Sequence, residues 1–251
     1  MSGHSKWANI KHRKGAQDAK RGKIFTRITK EIQIAVKEGG ADPDSNPRLR
    51  TALQNARSVN MPKDNVNRAI KKASESGGEK FEEITFEGYG TGGVAVFVEC
   101  ATDNHNRTVS NIRHIFNKRG GSLGTNGSLS FIFERKGVIN VLKTDDIDID
   151  EFELELIDAG AEDFEIEGDL IIITTALEDF SNVQKKLEEM GVEVQSAGLQ
   201  RIPNNYKKLD VEDAKKFLRM IDEFEDDDDV QNVYHNLEMT DELAKALEEQ
   251  D

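Results

Sequence analysis

Residues 136–203 spell out a complete small fold in linear order. "GVINVL" reads as a strand and "IDEFELELIDAG" as a helix ending at Gly160. "DFEIEGDLIIITT" reads as a hairpin turning on Gly168-Asp169. "LEDFSNVQKKLEEMG" follows as a helix, with Leu177, Phe180, Val183, Leu187 and Met190 inward, and "VEVQSAGLQRI" closes as a strand. The order βαββαβ is a ferredoxin-like unit. Its flanks are each incomplete. Before it, "GGVAVFVECATD", "NRTVSNIRHIFNKRG" and "GSLSFIFERK" read as strand, helix and strand; after it, "DVEDAKKFLRMIDEF" and "VQNVYHN" read as helix and strand. The two flanks complete one another. We therefore expect 136–203 to be inserted into a split α+β middle domain of 81–135 and 204–238, leaving 239–251 as an acidic C-terminal tail.

The first 80 residues keep the helical period. In 22–38, Ile24, Phe25, Ile28, Ile32, Ala35 and Val36 share one side at about 100° per residue, opposite Lys20, Lys23, Arg27, Lys30 and Lys37. Gly39 and Gly40 end this helix. Ser45 or Asn46 caps a second, with Pro47 in its first turn and Leu49, Ala52, Leu53 and Ala56 inward; Arg50, Gln54 and Arg57 face away. A third places Val66, Ala69, Ile70 and Ala73 inward and Arg68, Lys71 and Lys72 outward. "SESGGEK" reads as a linker. The expected fold is α+β multidomain: an N-terminal three-helix bundle plus two α+β domains, one ferredoxin-like and inserted into the other.

Charge divides at the same boundary. Residues 1–80 hold 18 Lys and Arg against 8 Asp and Glu, a net of +10, whereas 81–251 hold 16 against 40, a net of −24. Such asymmetry points to a polyanion-binding end on an acidic body. The stretch 2–25 is the strongest signal, with Lys6, Lys11, Arg13, Lys14, Lys20, Arg21 and Lys23 against Asp18, and with Trp7, the one tryptophan. Lysine and arginine neutralise phosphates, and an indole stacks on an unpaired base. The plain alternatives are a solvated helix face and a Trp7 that anchors the arm. No apolar run approaches a membrane span, and no apolar segment follows the first positive charges as in a secretory signal. The basic stretch runs into a helix, so we read it as part of the domain rather than a presequence. One cysteine, Cys100, forms no internal disulfide, which fits a cytoplasmic location.

Catalytic motifs fail on context. "GYGTGG" (88–93) matches GxGxxG, but a strand follows it, so a turn is expected. "GGSLG" (120–124) matches GxSxG, but between helix and strand, with His235 as the one histidine after Ser122. "DIDIDE" lacks the glycine and terminal glutamate of a calcium loop and reads as a helix start. "EFEDDDD" (223–229) reads as a solvated loop. No metal-ligand spacing, cofactor motif or nucleophile–base pair is found. "ATDNHNRT" lies where a strand meets a helix. There Asp103, Asn104, Asn106 and Arg107 are a possible second contact with a phosphate or base edge; the plain reading is a turn capped by Asn106 or a neighbour.

"GHSKWANIKHRKGAQDAKRGKIFTRITKEI", "MPKDNVNRAIKKA", "EGYGTGG", "TDNHNRT" and "GGSLGTNGSLSFIF" together resemble the YebC/PmpR family, from residue 2 to about 238. The resemblance implies three domains and a cytoplasmic regulator of transcription that binds DNA. It also brings in a mitochondrial relative described as a translational activator, and bacterial members linked to ribosomes stalled on proline-rich sequences. The family's arm motif maps onto Lys6, Trp7, Lys11, His12, Arg13 and Lys14. Three functions follow. The first is a non-enzymatic DNA-binding regulator, although no clear helix-turn-helix is present. The second is a factor for ribosomal RNA or the ribosome, which suits a basic arm with one Trp. The third and remote one is a metal-dependent nuclease using Asp103, which lacks paired ligands. The sequence leaves the oligomeric state open.

Overall fold

The computed structural model describes residues 17–75, 80–145 and 147–248. Among them are eight α-helices and two four-stranded sheets. The chain groups into two units. One takes Lys80–Glu134 and Ile202–Asp251 with the chain through Lys23; the other takes Ile24–Glu79 and Arg135–Arg201.

The bundle consists of α1 (Gln17–Gly39), α2 (Pro47–Ser58) and α3 (Lys63–Ser74). Ile32, Ala35, Val36, Leu49, Ala52, Ala56, Ala69 and Ala73 make its buried core, with Phe25, Ile28, Leu53, Val66 and Ile70 half-buried around it. Gly40 turns the chain out of α1 at φ +87°. Asn46 then ties the two helix ends together. Its Oδ1 accepts from the N–H of Leu49 at 3.0 Å, and its amide donates to the carbonyls of Ala35 at 2.7 Å and Gly40 at 2.9 Å. A buried amide satisfied on both sides fixes the α1–α2 angle.

Next come β1 (Glu82–Tyr89), a 3-10 turn (Thr91–Gly93), β2 (Ala95–Thr102) and α4 (His105–Lys118). The "GYGTGG" run is the expected turn, with Gly92 and Gly93 at positive φ. The helix cap is Asn104, whose side chain accepts from Arg107 N–H at 3.1 Å. The third strand differs from expectation. "GSLSFIFERK" is not one strand: residues 126–132 form turns, and the two-residue β3 (Ser122–Leu123) pairs with β1 instead. The cause lies on β1. Glu87 is buried, and its carboxylate accepts the N–H groups of Gly127 at 2.7 Å and Leu129 at 2.6 Å. Those bonds curl the segment, so that Leu129, Ile132 and Phe133 pack on Ala95, Phe97 and Tyr234.

The inserted unit comprises β4 (Phe133–Leu142), α5 (Ile149–Asp158), β5 (Ala161–Glu167), β6 (Leu170–Thr175), α6 (Phe180–Glu189) and β7 (Val194–Pro203). Its sheet order, β5-β6-β4-β7, is the ferredoxin-like order. Ile139, Val141, Ile171 and Ile173 face Phe152, Leu156, Phe180, Val183 and Leu187. Leu177 and Met190 are corrections to the expected inward stripe. They lie outside α6, at either end, and are exposed. Within this half of the molecule α2 also meets the inserted unit. Asn55 donates to the Ala197 carbonyl at 2.8 Å and accepts its N–H at 2.9 Å, and Gln54 accepts from Gln184 at 3.0 Å. Gln54 therefore does not face solvent freely, as its helix position implied.

The chain then completes the first sheet with α7 (Val211–Asp226) and β8 (Val230–His235). β8 pairs antiparallel with β2, giving the order β3-β1-β2-β8. One face of that sheet (Phe86, Val96, Val98, Cys100) packs on Ile112 and Phe116 of α4 and on Phe217, Met220 and Phe224 of α7. Beyond 238 the chain is more than an acidic tail. Asp241–Glu248 forms α8, whose Leu243 is buried in the same core alongside Met239.

Candidate nucleic-acid interface

The basic faces follow from helix periodicity, because alanines and isoleucines on one side leave the other to long cations. On α3, Arg68, Lys71 and Lys72 are exposed, opposite buried Ala69 and Ala73. Lys71 and Lys72 occupy the last turn, where the helix dipole favours cations, and Asp64 the first. Lys71 lies 3.9 Å from Glu75, an exposed pair of small energetic weight. On α1, Arg21 is exposed, and Arg27 and Lys30 are half-buried. Lys6, Trp7, Lys11, His12, Arg13, Lys14 and the side chain of Lys20 lie outside the described residues.

Arg48, Arg50 and Lys23 make specific contacts within the fold. Arg48 forms a two-pronged pair with Glu31, at 2.7 and 3.1 Å, and reaches Glu38 at 2.7 Å. Arg50 donates to the carbonyls of Pro43 and Asp44. Lys23 pairs with the Asp226 carboxylate and lies 3.3 Å from the Asp226 carbonyl at the end of α7.

"TDNHNRT" is organised around a carboxylate that no local pattern indicated. Asp229 is buried, and the Arg107 guanidinium donates to it at 2.7, 2.9 and 3.1 Å. Thr108 Oγ1 donates to it at 2.9 Å, and Arg107 also reaches Asp103 at 2.8 Å. Hydrogen bonding to Asp229, then to Asp103, raises the Arg107 pKa. Of the four candidate residues there, Asp103, Asn104 and Arg107 are thus held within this turn, and Asn106 is exposed.

The "EFEDDDD" run is likewise not a solvated loop. Glu223 takes Lys118 at 2.8 Å and pairs with Arg119, and Asp227 accepts from Asn111 at 2.9 Å. Hydrogen bonds from Arg119 and Lys118 hold the Glu223 carboxyl down to about 2. The same contact raises the Arg119 pKa. These acids fix one flank of α4. Asn106, Ser110, Arg113, His114 and Asn117 of α4 are also exposed, and the helix itself carries no acidic side chain. Sequence reasoning passed over this absence of acids, although it was countable.

Among the described residues no three His, Cys, Asp or Glu side chains are grouped to hold a metal, and no helix is long and apolar enough to cross a membrane. Ser122 and His235 stand on the two edge strands of one sheet, three strand spacings or about 14 Å apart. His235 is buried against Phe217, and its Nδ1 accepts from Leu237 N–H at 3.3 Å.

Residues 5–76 match a family model described as the TACO1/YebC protein N-terminal domain, and residues 81–237 match the TACO1/YebC second and third domain. A protein of Hathewaya histolytica named a "Probable transcriptional regulatory protein" is 52% identical over 239 residues, spanning 95% of this chain and 97% of its own. One of the same name from Chlorobaculum parvum is 50% identical over 252 residues, spanning all of both chains. A crystal structure of a conserved hypothetical protein from Aquifex aeolicus superposes with a TM-score of 0.83 at 44% identity, covering 92% of this chain and 96% of that one.

Proposed function

The chain belongs to the TACO1/YebC family, and on that premise we propose that it is a non-enzymatic, nucleic-acid-binding regulator of gene expression that docks through its basic N-terminal domain. One observation carries this reading. A net of +10 is concentrated in the first 80 residues of a chain whose remainder is −24. Cations on one end neutralise phosphates there, and the acidic body is repelled from the same polyanion. Duplex DNA is the first candidate ligand, in keeping with relatives named as transcriptional regulatory proteins. A lone, buried Cys100 accords with a cytoplasmic setting.

A second reading, with ribosomal RNA or the ribosome as ligand, draws on the packing of α2. Its outward residues Thr51, Gln54 and Asn55 are bound to the inserted unit. That helix is therefore not free to lie in a major groove, as a recognition helix must. Backbone-directed binding by the arm and α3 suits irregular RNA.

The test is affinity for duplex DNA and for ribosomal RNA at several salt concentrations. Replacing Lys11, Arg13 and Lys14 with Ala should weaken binding across sequences. It should also make the log–log salt slope shallower by roughly 2–3 units. Unchanged affinity and slope would show that the arm is not the contact.

A further inference from the structure

Residues 104–133 contain no Asp or Glu, although 81–251 hold 40 of them. A second acid-free run covers 202–209 and includes Lys207 and Lys208. The fold joins the two. Asn204 N–H donates to the Ile132 carbonyl at 2.8 Å, and its side-chain amide donates to the Phe131 carbonyl at 3.4 Å.

At this junction Phe131 is 70% exposed, whereas Ile132 and Phe133 beside it are 7% and 5% exposed. The backbone that carries the ring is fixed. Glu87 holds Gly127 and Leu129 through their N–H groups, Leu129 is fully buried, and Ile132 N–H donates to the Leu129 carbonyl at 2.9 Å. An aromatic ring displayed on a rigid turn forfeits its own burial and is already ordered for a partner. The exposed residues nearby are Asn126, Ser130 and Asn204, with Glu134 three residues along the chain and the cations Lys207 and Lys208 beyond Asn204. A protein partner would call for contiguous apolar surface around the ring. A stacked base calls for a single ring, with amide and hydroxyl groups for its edges.

We propose that Phe131 is a second nucleic-acid contact, stacking on an unpaired base of a single strand beside the Asn204 amide. The proposal rests on the reading that the ligand is a nucleic acid, and it uses a different surface from the basic bundle.

The full-length protein is titrated with a single-stranded oligoribonucleotide of mixed sequence and, separately, with a duplex DNA, each at several salt concentrations. Phe131→Ala should weaken single-strand binding by roughly 5- to 150-fold with an unchanged salt slope, leave duplex binding as it was, and leave the melting temperature unmoved. Phe131→Trp should restore single-strand affinity. Wild-type affinity in Phe131→Ala, equal losses on both probes, or no rescue by Trp would each overturn the proposal while the basic-domain reading stands. A wild-type protein with no salt-dependent binding to either probe would overturn both.

Discussion

The guanidinium of Arg107 closes on the carboxylate of Asp229, 122 residues further along the chain, through three hydrogen bonds of 2.7–3.1 Å. Thr108 completes the site with a fourth, and the Asp229 carbonyl accepts Ala101 N–H at 2.8 Å. The start of α4 is thereby bound to the start of β8, the strand that follows the insertion. Asp229→Ala strips these acceptors from buried Thr108 and from Arg107. The expected loss of stability is about 1.5–3 kcal/mol, read from the midpoint of urea unfolding. A loss below about 0.5 kcal/mol, the range of an ordinary surface change, would rule out a structural role.

Glu223 links stability to acid. Its folded carboxyl is depressed to about 2 from an ordinary 4.5 by Arg119 and Lys118. A depressed carboxyl adds stability that is full above the unfolded pKa and is lost as pH falls through the folded one. The melting temperature of the wild type should therefore exceed that of Glu223→Gln at neutral pH, and the gap should close between about pH 4.5 and pH 2. A gap that is constant with pH contradicts the assignment.

Gly90 lies where α7 crosses the β1–β2 turn. A Cβ built there stands 2.5 Å from Met220 Cε and 2.7 Å from the Phe217 ring, both in the core. Gly90→Ala should cost about 1–3 kcal/mol by overpacking. Gly127→Ala is a different case, strained through its φ of +85° with nothing within 4 Å of the new methyl. A neutral Gly90→Ala in thermal unfolding would disprove the close approach.

Arg68, Lys71 and Lys72 project from α3 away from the bundle core, so their removal tests binding without touching packing. The triple alanine variant should keep its melting temperature. Its salt slope should be shallower by up to roughly 3 units if each cation meets a phosphate. An unchanged slope would confine the contact to the arm.

Sequence alone indicated most of the helices and their buried faces, but not β1, the turns of 126–132 or α8. A 3.6-residue period placed Ala52, Ala56, Ala69 and Ala73 in one core, and Asn46 and Pro47 marked a helix start. Two incomplete flanks implied that β8 would join the sheet of β2, and it does. Such readings succeed because burial and capping are local properties of a helix or strand. Tertiary structure decided the partners. Nothing in "EDDDD" separates buried Asp229 from exposed Asp228; only the arrival of Arg107 and Thr108 does. Nothing local makes 126–132 turn rather than extend, because the carboxylate that bends it sits on Glu87, about 40 residues earlier. Likewise Asn55 looks like an outward polar residue until β7 offers it a free backbone edge at Ala197. A periodic pattern says which side of an element is inside, whereas a hydrogen bond between distant side chains depends on where the whole chain has brought its other end.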